Sequence, residues 1–480
     1  MNPVPRSRLG KLLGILLFAA AGIGFFSANG KLGLVHWDEF LWHPEIARVA
    51  EELLSKGSWP ALLHPTDWQY PPLFFLAAGA VVRFLGDSFF AMRLLSIVSA
   101  GLLAPLAFCI ARRSAGWKAG LLAGGWVLAF PLLHRFGYAL LVDPFQAFLI
   151  AGALALFVRA EDEGRSVLPA AVVAGLAGAT KYTSLLVAVV LVGLLLAARV
   201  APAAGRAGAT KGGAGEMGRG RVRPWRETAL FAAISFAPLL LLRGSDIGLL
   251  REMSFWRGVP FDWGDFFRVA PLLLLLLALA APLSRGGMPR LLRAPYFFLL
   301  LWMLFFFWRR QQMNWFLPAV VPAAVLAAHT LSRPVTRPWK VAALAVAVAL
   351  LGYGGLESYG ERERYRETER AFRRADALIN RHVPHGGAIV VDGLPFQSAF
   401  YGHRRALDVR HVGFRDGHCA VLLPWVFENY LVRGFSGSAW GERHEREIRS
   451  SWRLEEEYVV DGEVILQIYT NPKMVQSPRK

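Results

Sequence analysis

Residues 71–86 read PPLFFLAAGAVVRFLG, and the fold turns on whether this stretch crosses a membrane. It is apolar enough to do so. Two prolines open it and Arg83 interrupts it, which favours a helix lying along the outer interface. The rest of the chain gives the choice its weight. Long apolar runs recur over three quarters of the 480 residues, among them Leu12–Ala28, Leu94–Ala111, Leu185–Ala198, Pro271–Pro282 and Val341–Gly352. A span takes about 20 mostly apolar residues. With 55% hydrophobic residues and a mean hydropathy of +0.38, one soluble core cannot bury them all, so a bilayer is the expected solvent.

Eleven spans are expected, near 11–28, 91–111, 119–137, 141–159, 167–180, 182–198, 228–242, 268–283, 294–308, 315–331 and 340–356. Four basic loops orient them. They hold Arg112, Arg113 and Lys118; a Gly/Ala-rich linker from Arg199 to Arg226; Arg285, Arg290 and Arg293; and Arg333, Arg337 and Lys340. With the N-terminus inside and 71–86 lying on the interface, every one of them is cytoplasmic. Were 71–86 a span, the Arg112–Lys118 loop would flip outward and Asp143 inward. Arg6, Arg8 and Lys11 before the first apolar run resemble a signal peptide. No small-x-small cleavage site closes that run before Trp37, so it is expected to stay as the first helix.

The net charge of +18 would suggest nucleic acid in a soluble protein. Here the basic residues sit in short loops between apolar runs, so no nucleic-acid partner is expected. The two cysteines, Cys109 and Cys419, lie far apart and form no metal-type pair.

The expected architecture is mainly α: a polytopic transmembrane bundle over 1–356, with a long first outer loop at 29–90 and a small extracytoplasmic α/β domain at 357–480. In the loop, Pro44–Lys56 reads as a helix with Pro44 in its first turn. In the C-terminal part, Glu361–Arg381 is a charged helical run, and Ala388–Val391 and Ala420–Leu423 are short buried strands. Tyr458–Val460 and Val464–Tyr469 form a hairpin about Asp461-Gly462. No internal repeat is visible.

Candidate chemistry gathers at span ends. His36-Trp37-Asp38-Glu39 follows the first span directly. Two adjacent carboxylates can open a solvated loop. They can also supply a general base, because a neighbouring carboxylate raises one of the two pKa values. Asp143-Pro144-Phe145 interrupts an apolar stretch, where an ionisable residue is costly and a functional candidate. Asp before Pro is also an ordinary N-cap. Lys181, in Thr180-Lys181-Tyr182, either snorkels or holds a lipid phosphate. Arg93 and the Arg309-Arg310 pair before Asn314-Trp315-Phe316-Leu317-Pro318 raise the same question. His64, Tyr70 and Arg310 are further candidates for substrate contacts. His36, His43 and His64 match no metal spacing, though Asp38 and Asp143 have the donor chemistry to hold a divalent ion. No Gly-rich phosphate loop precedes a helix, so a soluble nucleotide donor is not indicated. The alternative class is a transporter or lipid flippase, which would place its charges near the midplane within repeated halves.

In order, these pieces resemble the GT-C superfamily of lipid-linked-sugar glycosyltransferases, in the branch of protein O-mannosyltransferases and lipid A aminoarabinose transferases. The matching pieces are Asp38-Glu39, Gly57-Ser58-Trp59-Pro60, Tyr70-Pro71-Pro72-Leu73, Phe84-Leu85-Gly86, Ala91–Ser96, Ala111-Arg112-Arg113, Asp143–Phe148, Thr180-Lys181 and Phe316-Leu317-Pro318. The resemblance covers roughly 10–330. It implies inverting transfer from a polyprenyl-phosphate sugar to a lipid, glycan or protein acceptor, in a bacterial inner membrane, with the site facing outward. It implies Asp38 as base or acceptor-orienting carboxylate, assisted by Asp143, with Lys181 and Arg93 on the lipid phosphate. It also implies an interfacial helix at 71–86. Tyr70 stands where the aminoarabinose transferases carry a lysine, and the luminal domain inserted in eukaryotic O-mannosyltransferases is absent.

Overall fold

The computed structural model describes residues 7–30, 46, 49, 71–86, 89–200, 224–241, 263–283, 288–309, 313–332, 337–383, 387–391, 405–408, 415–422, 438–460 and 463–475. Asp38, Glu39, His64, Tyr70 and Arg310, and all of the Pro44–Lys56 stretch except Ile46 and Val49, lie outside them.

The bundle runs through α1 (Ser7–Gly30), α2 (Leu73–Leu85), α3 (Phe89–Ala115), α4 (Trp117–Leu128), α5 (Pro131–Phe136), α6 (Val142–Glu163), α7 (Leu168–Gly178) and α8 (Leu185–Val200). It continues through α9 (Trp225–Phe236), α10 (Trp263–Val269), α11 (Leu272–Leu279), α12 (Arg293–Arg309), α13 (Val320–Ser332) and α14 (Arg337–His382). Among the described residues, four segments are long and apolar enough to cross a membrane: Phe90–Ala115, Val142–Glu163, Arg290–Trp308 and Met313–Ser332. The other expected spans fall on shorter or broken helices. Prolines make most of the breaks, as their missing N–H predicts. The expected 119–137 span divides before Pro131, 268–283 divides at Pro271, and 228–242 finishes as a 3₁₀ turn over Ala237–Leu241. The 315–331 span begins as a 3₁₀ turn, Met313–Ala319, that contains Pro318.

The bundle has two distinguishable ends. At one, Arg113 closing α3 pairs with Asp162 and Glu163 closing α6, at 2.5 and 2.6 Å, and Arg290 pairs with Glu161. At the other, Ser96 Oγ in the first turns of α3 donates to Leu141 O, just before α6, at 3.0 Å. The α2 helix belongs wholly to this second end. Leu73 N donates to Ala179 O, and Phe74, Phe75, Ala78 and Val82 share one buried cluster with Ile46, Val49, Met92, Leu140 and Val142. Thirteen residues reach only about 20 Å. That falls short of the ~30 Å hydrocarbon core of a bilayer.

Helices α1 and α3 cross antiparallel through small residues. A Cβ at Gly22 would lie 2.6 Å from Gly101 O and 2.8 Å from its Cα. Backbone cannot swing aside as a side chain can, so Gly22→Val forces the helices apart. We expect a loss of about 1–3 kcal/mol, read as a lowered Tm in detergent. Gly24→Ala, whose Cβ meets nothing within 4 Å, is the control that leaves Tm unchanged or raised.

Helix α14 runs unbroken for 46 residues, about 69 Å, so the boundary expected at 356 falls inside one helix. The composition changes there from apolar to Glu/Arg-rich, but Glu, Arg and Ala all propagate a helix. Gly354 and Ser358 pack on Ala129, which places the exit of α14 at the Asp143 end. Beyond it, β1 (Ala388–Val391), β2 (Arg405–Asp408), β3 (Cys419–Leu422), α15 (Ser438–Ser451), β4 (Arg453–Val460), β5 (Glu463–Thr470) and a last turn α16 (Pro472–Val475) complete the described chain. The strand order is β2-β1-β3-β5-β4, parallel among the first three and antiparallel thereafter. Val390, Ala420, Leu422, Tyr469, Ile448 and Trp452 form its core. The hairpin strand β4 starts at Arg453, five residues before the expected Tyr458. Its charged residues suit an edge strand, where they discourage pairing with another chain.

Candidate active site

The site forms where α6 begins, α7 ends and α12 gives way to the 313–319 turn. Leu141 is the N-cap of α6 and makes no side-chain cap bond, so Asp143 sits inside the first turn and its carboxylate is not the cap. It reaches across to Lys181 instead. Lys181 Nζ donates to Asp143 Oδ1 at 2.8 Å, with the two side chains 3% and 5% exposed. Asn314 Nδ2 donates to Oδ2 at 2.9 Å. Both carboxylate oxygens are thus engaged, and Lys181 is a buried partner with no snorkelling path to water.

The lysine has a second contact. Its Nζ stands 3.8 Å from the ring centroid of Trp315. That ring stacks on Phe305 at 12°, and Trp302 Nε1 donates to Trp315 O at 2.9 Å. An ammonium over an aromatic face is favoured most where water is excluded. Gln146, one turn below Asp143 on α6, donates from Nε2 to Thr183 Oγ1 and Ser184 Oγ, both at 2.9 Å. Helix α6 therefore grips the 181–184 segment twice, through Asp143 and through Gln146.

Arg93 is fully buried at the same end. Met92 and Val142, the residues preceding Arg93 and Asp143, belong to one cluster with α2. Helix α1 also finishes here, since Phe25 and Phe26 lie against the His134 ring of α5 and Arg362 of α14 stands 4.7 Å above Phe25. Asp38 and Glu39 follow α1 in the chain, outside the described residues.

Of the residues expected from sequence, Asp143 and Lys181 are brought into contact, and Arg93 is placed at their end. Asn314, Trp315 and Gln146 carry contacts that the sequence reading did not assign. The signal for Asn314 was available: it is the one amide in the run Met313–Ala319, otherwise apolar and buried apart from Met313. Among the described residues there is no group of three His, Cys, Asp or Glu able to hold a metal. A divalent ion at Asp143 would have to displace the ammonium and the amide from its oxygens, so these residues do not fit one as they stand. Burial, followed by the charge of Glu455, pushes the Cys419 thiol up to about 12, which removes it as a nucleophile.

Over residues 69–204 the chain matches the family model described as dolichyl-phosphate-mannose-protein mannosyltransferase. That segment holds Arg93, Asp143 and Lys181. Among solved structures, ArnT from Cupriavidus metallidurans in the apo state is similar at TM-score 0.57 and 15% identity, covering 97% of this chain and 99% of that one. The same protein bound to undecaprenyl phosphate gives 0.57 and 16%, covering 98% and 100%. The Archaeoglobus fulgidus oligosaccharyltransferase tethered with an acceptor peptide gives 0.57 and 12%, covering 97% and 74%. No curated protein matches the chain in sequence. At such identities the shared property is the fold.

Proposed function

With the fold of the GT-C membrane glycosyltransferases and a mannosyltransferase-model segment at 69–204, we propose that this chain transfers a sugar from a polyprenyl-phosphate donor to an extracytoplasmic lipid, glycan or protein. The observation that carries the reading is the buried Asp143–Lys181–Asn314 cluster. It stands at the bundle end where α1, α2 and α14 also meet. The basic clusters at the opposite end favour an inner membrane with this site facing the periplasm or exterior.

In this reading Asp38 takes the proton from the acceptor, with Glu39 beside it. The acceptor oxygen or nitrogen attacks the anomeric carbon from the face opposite the phosphate. The bond from that carbon to the phosphate oxygen breaks, its electrons leave with polyprenyl phosphate, and the anomeric centre inverts. A phosphate leaving group gains from fixed cations in a dry site, which is the part given to Arg93 and Lys181. Lys181 reaches a phosphate by exchanging it for Asp143. Asn314 then keeps the carboxylate hydrogen-bonded. His64, Tyr70 and Arg310 contact donor or acceptor.

The test is mass spectrometry of lipids and envelope glycoconjugates from cells with and without the gene. It is paired with purified protein given a labelled polyprenyl-phosphate sugar. A covalent product one sugar heavier, with polyprenyl phosphate released, is expected. Passage of label across vesicles without covalent product would overturn the reading in favour of a transporter.

A further inference from the structure

At the end of the bundle opposite Asp143, a cavity of about 240 Å³ opens between α6, α8 and the start of α12. Its walls are mostly apolar, with Phe157, Leu194 and Leu195 among them, and Arg290, Arg293 and Glu161 complete it. The volume lies below the ~300–1,000 Å³ of a small-molecule pocket. It suits a segment of one acyl chain. Two of its walls belong to helices long and apolar enough to span a membrane.

The charges of this cavity are placed against the usual rule for helix ends. The first turn of α12 holds no acid, and Pro289 before the 3₁₀ turn that leads into it makes no side-chain cap bond. Arg290 and Arg293 instead crowd the positive end of the helix, which favours an anion there. Arg290 is partly satisfied by Glu161 at 2.5 Å, with side chains 38% and 12% exposed. Arg293 is exposed and makes no ion pair among the described residues. Among the described lining residues, two cations face one carboxylate, an excess of positive charge beside an apolar slot.

The geometry points to a binding site for an anionic glycerophospholipid, with part of one acyl chain in the cavity and its phosphate between Arg290 and Arg293. The three helices lining it are those that serve the other end: α6 carries Asp143, α8 follows Lys181–Ser184, and α12 runs into Asn314 and Trp315. A lipid seated there ties together the far ends of the elements that build the Asp143 cluster. The site does not depend on the transfer reaction.

Native mass spectrometry of the full chain released from membrane mimetics can test this, with phosphatidylglycerol against phosphatidylcholine as probes. Phosphatidylglycerol should be retained preferentially. Arg290→Gln with Arg293→Gln should lower its retention about tenfold or more, to the phosphatidylcholine level. Glu161→Gln frees Arg290 from its carboxylate and should raise retention. Leu195→Trp fills the slot, keeps both arginines and should lower retention of either lipid. Equal retention of the two lipids, or an unchanged preference in the double arginine variant, would overturn the proposal. So would displacement of phosphatidylglycerol by glycerol 3-phosphate at equal concentration, since the site would then take a free phosphate. None of these readouts uses sugar transfer, so they stand or fall apart from the proposed activity.

Discussion

Asp143→Ala is expected to lower the unfolding free energy by about 3–5 kcal/mol and to abolish measurable sugar transfer. The stability loss follows from what remains. Lys181 keeps its charge in a site 3% exposed, against the Trp315 face but without its carboxylate, and the Asn314 amide loses its acceptor. Removing one partner of a buried pair costs far more than removing both. Asp143→Leu combined with Lys181→Met should therefore recover most of the lost Tm while leaving transfer absent. That split separates a structural pair from a working one. A double variant as unstable as the single would show that the pair is not the source of the loss. A double variant that still transferred sugar would remove both residues from the chemistry.

Asp38→Asn should reduce kcat by at least about 100-fold, the lower range for a positioned general base, with Tm unchanged. The amide keeps the shape of the carboxylate but cannot accept the acceptor's proton. Binding of the donor should survive, because the cations assigned to the phosphate are elsewhere. Glu39→Gln, measured in parallel, apportions the role between the adjacent acids. Full activity in Asp38→Asn would withdraw that residue as the base.

How much of this was legible in the chain depended on range. The helices were legible because apolar runs, basic loops and prolines are local signals, but single spans were expected through Pro131 and Pro271, where the helices break. That 73–85 forms a helix opening after two prolines was legible from the same local signals. Asp143 and Lys181 each stood out as ionisable residues in apolar surroundings. Their mutual contact did not, because Lys181 has the same local signature whether it snorkels, binds phosphate or pairs. Asn314 lies 171 positions from Asp143, and no local pattern spans that distance. The neighbouring Arg309-Arg310 drew the functional reading because charge is easier to see than a single amide. Strand β2 went unassigned for a similar reason. Its four residues begin and end on charges, and only pairing with β1 makes them a strand.

The Asp143–Lys181 pair also bears on how the chain enters a bilayer. The two residues are only 38 positions apart, Asp143 in the first turn of α6 and Lys181 just past the end of α7, the next helix in the chain. Each alone would be costly to leave in hydrocarbon. Made one after the other during synthesis, they can be inserted as one hairpin that carries no net charge at that depth. Asn314 arrives only with roughly the last third of the chain, so the charges are neutralised first and the amide is added to a pair that already exists.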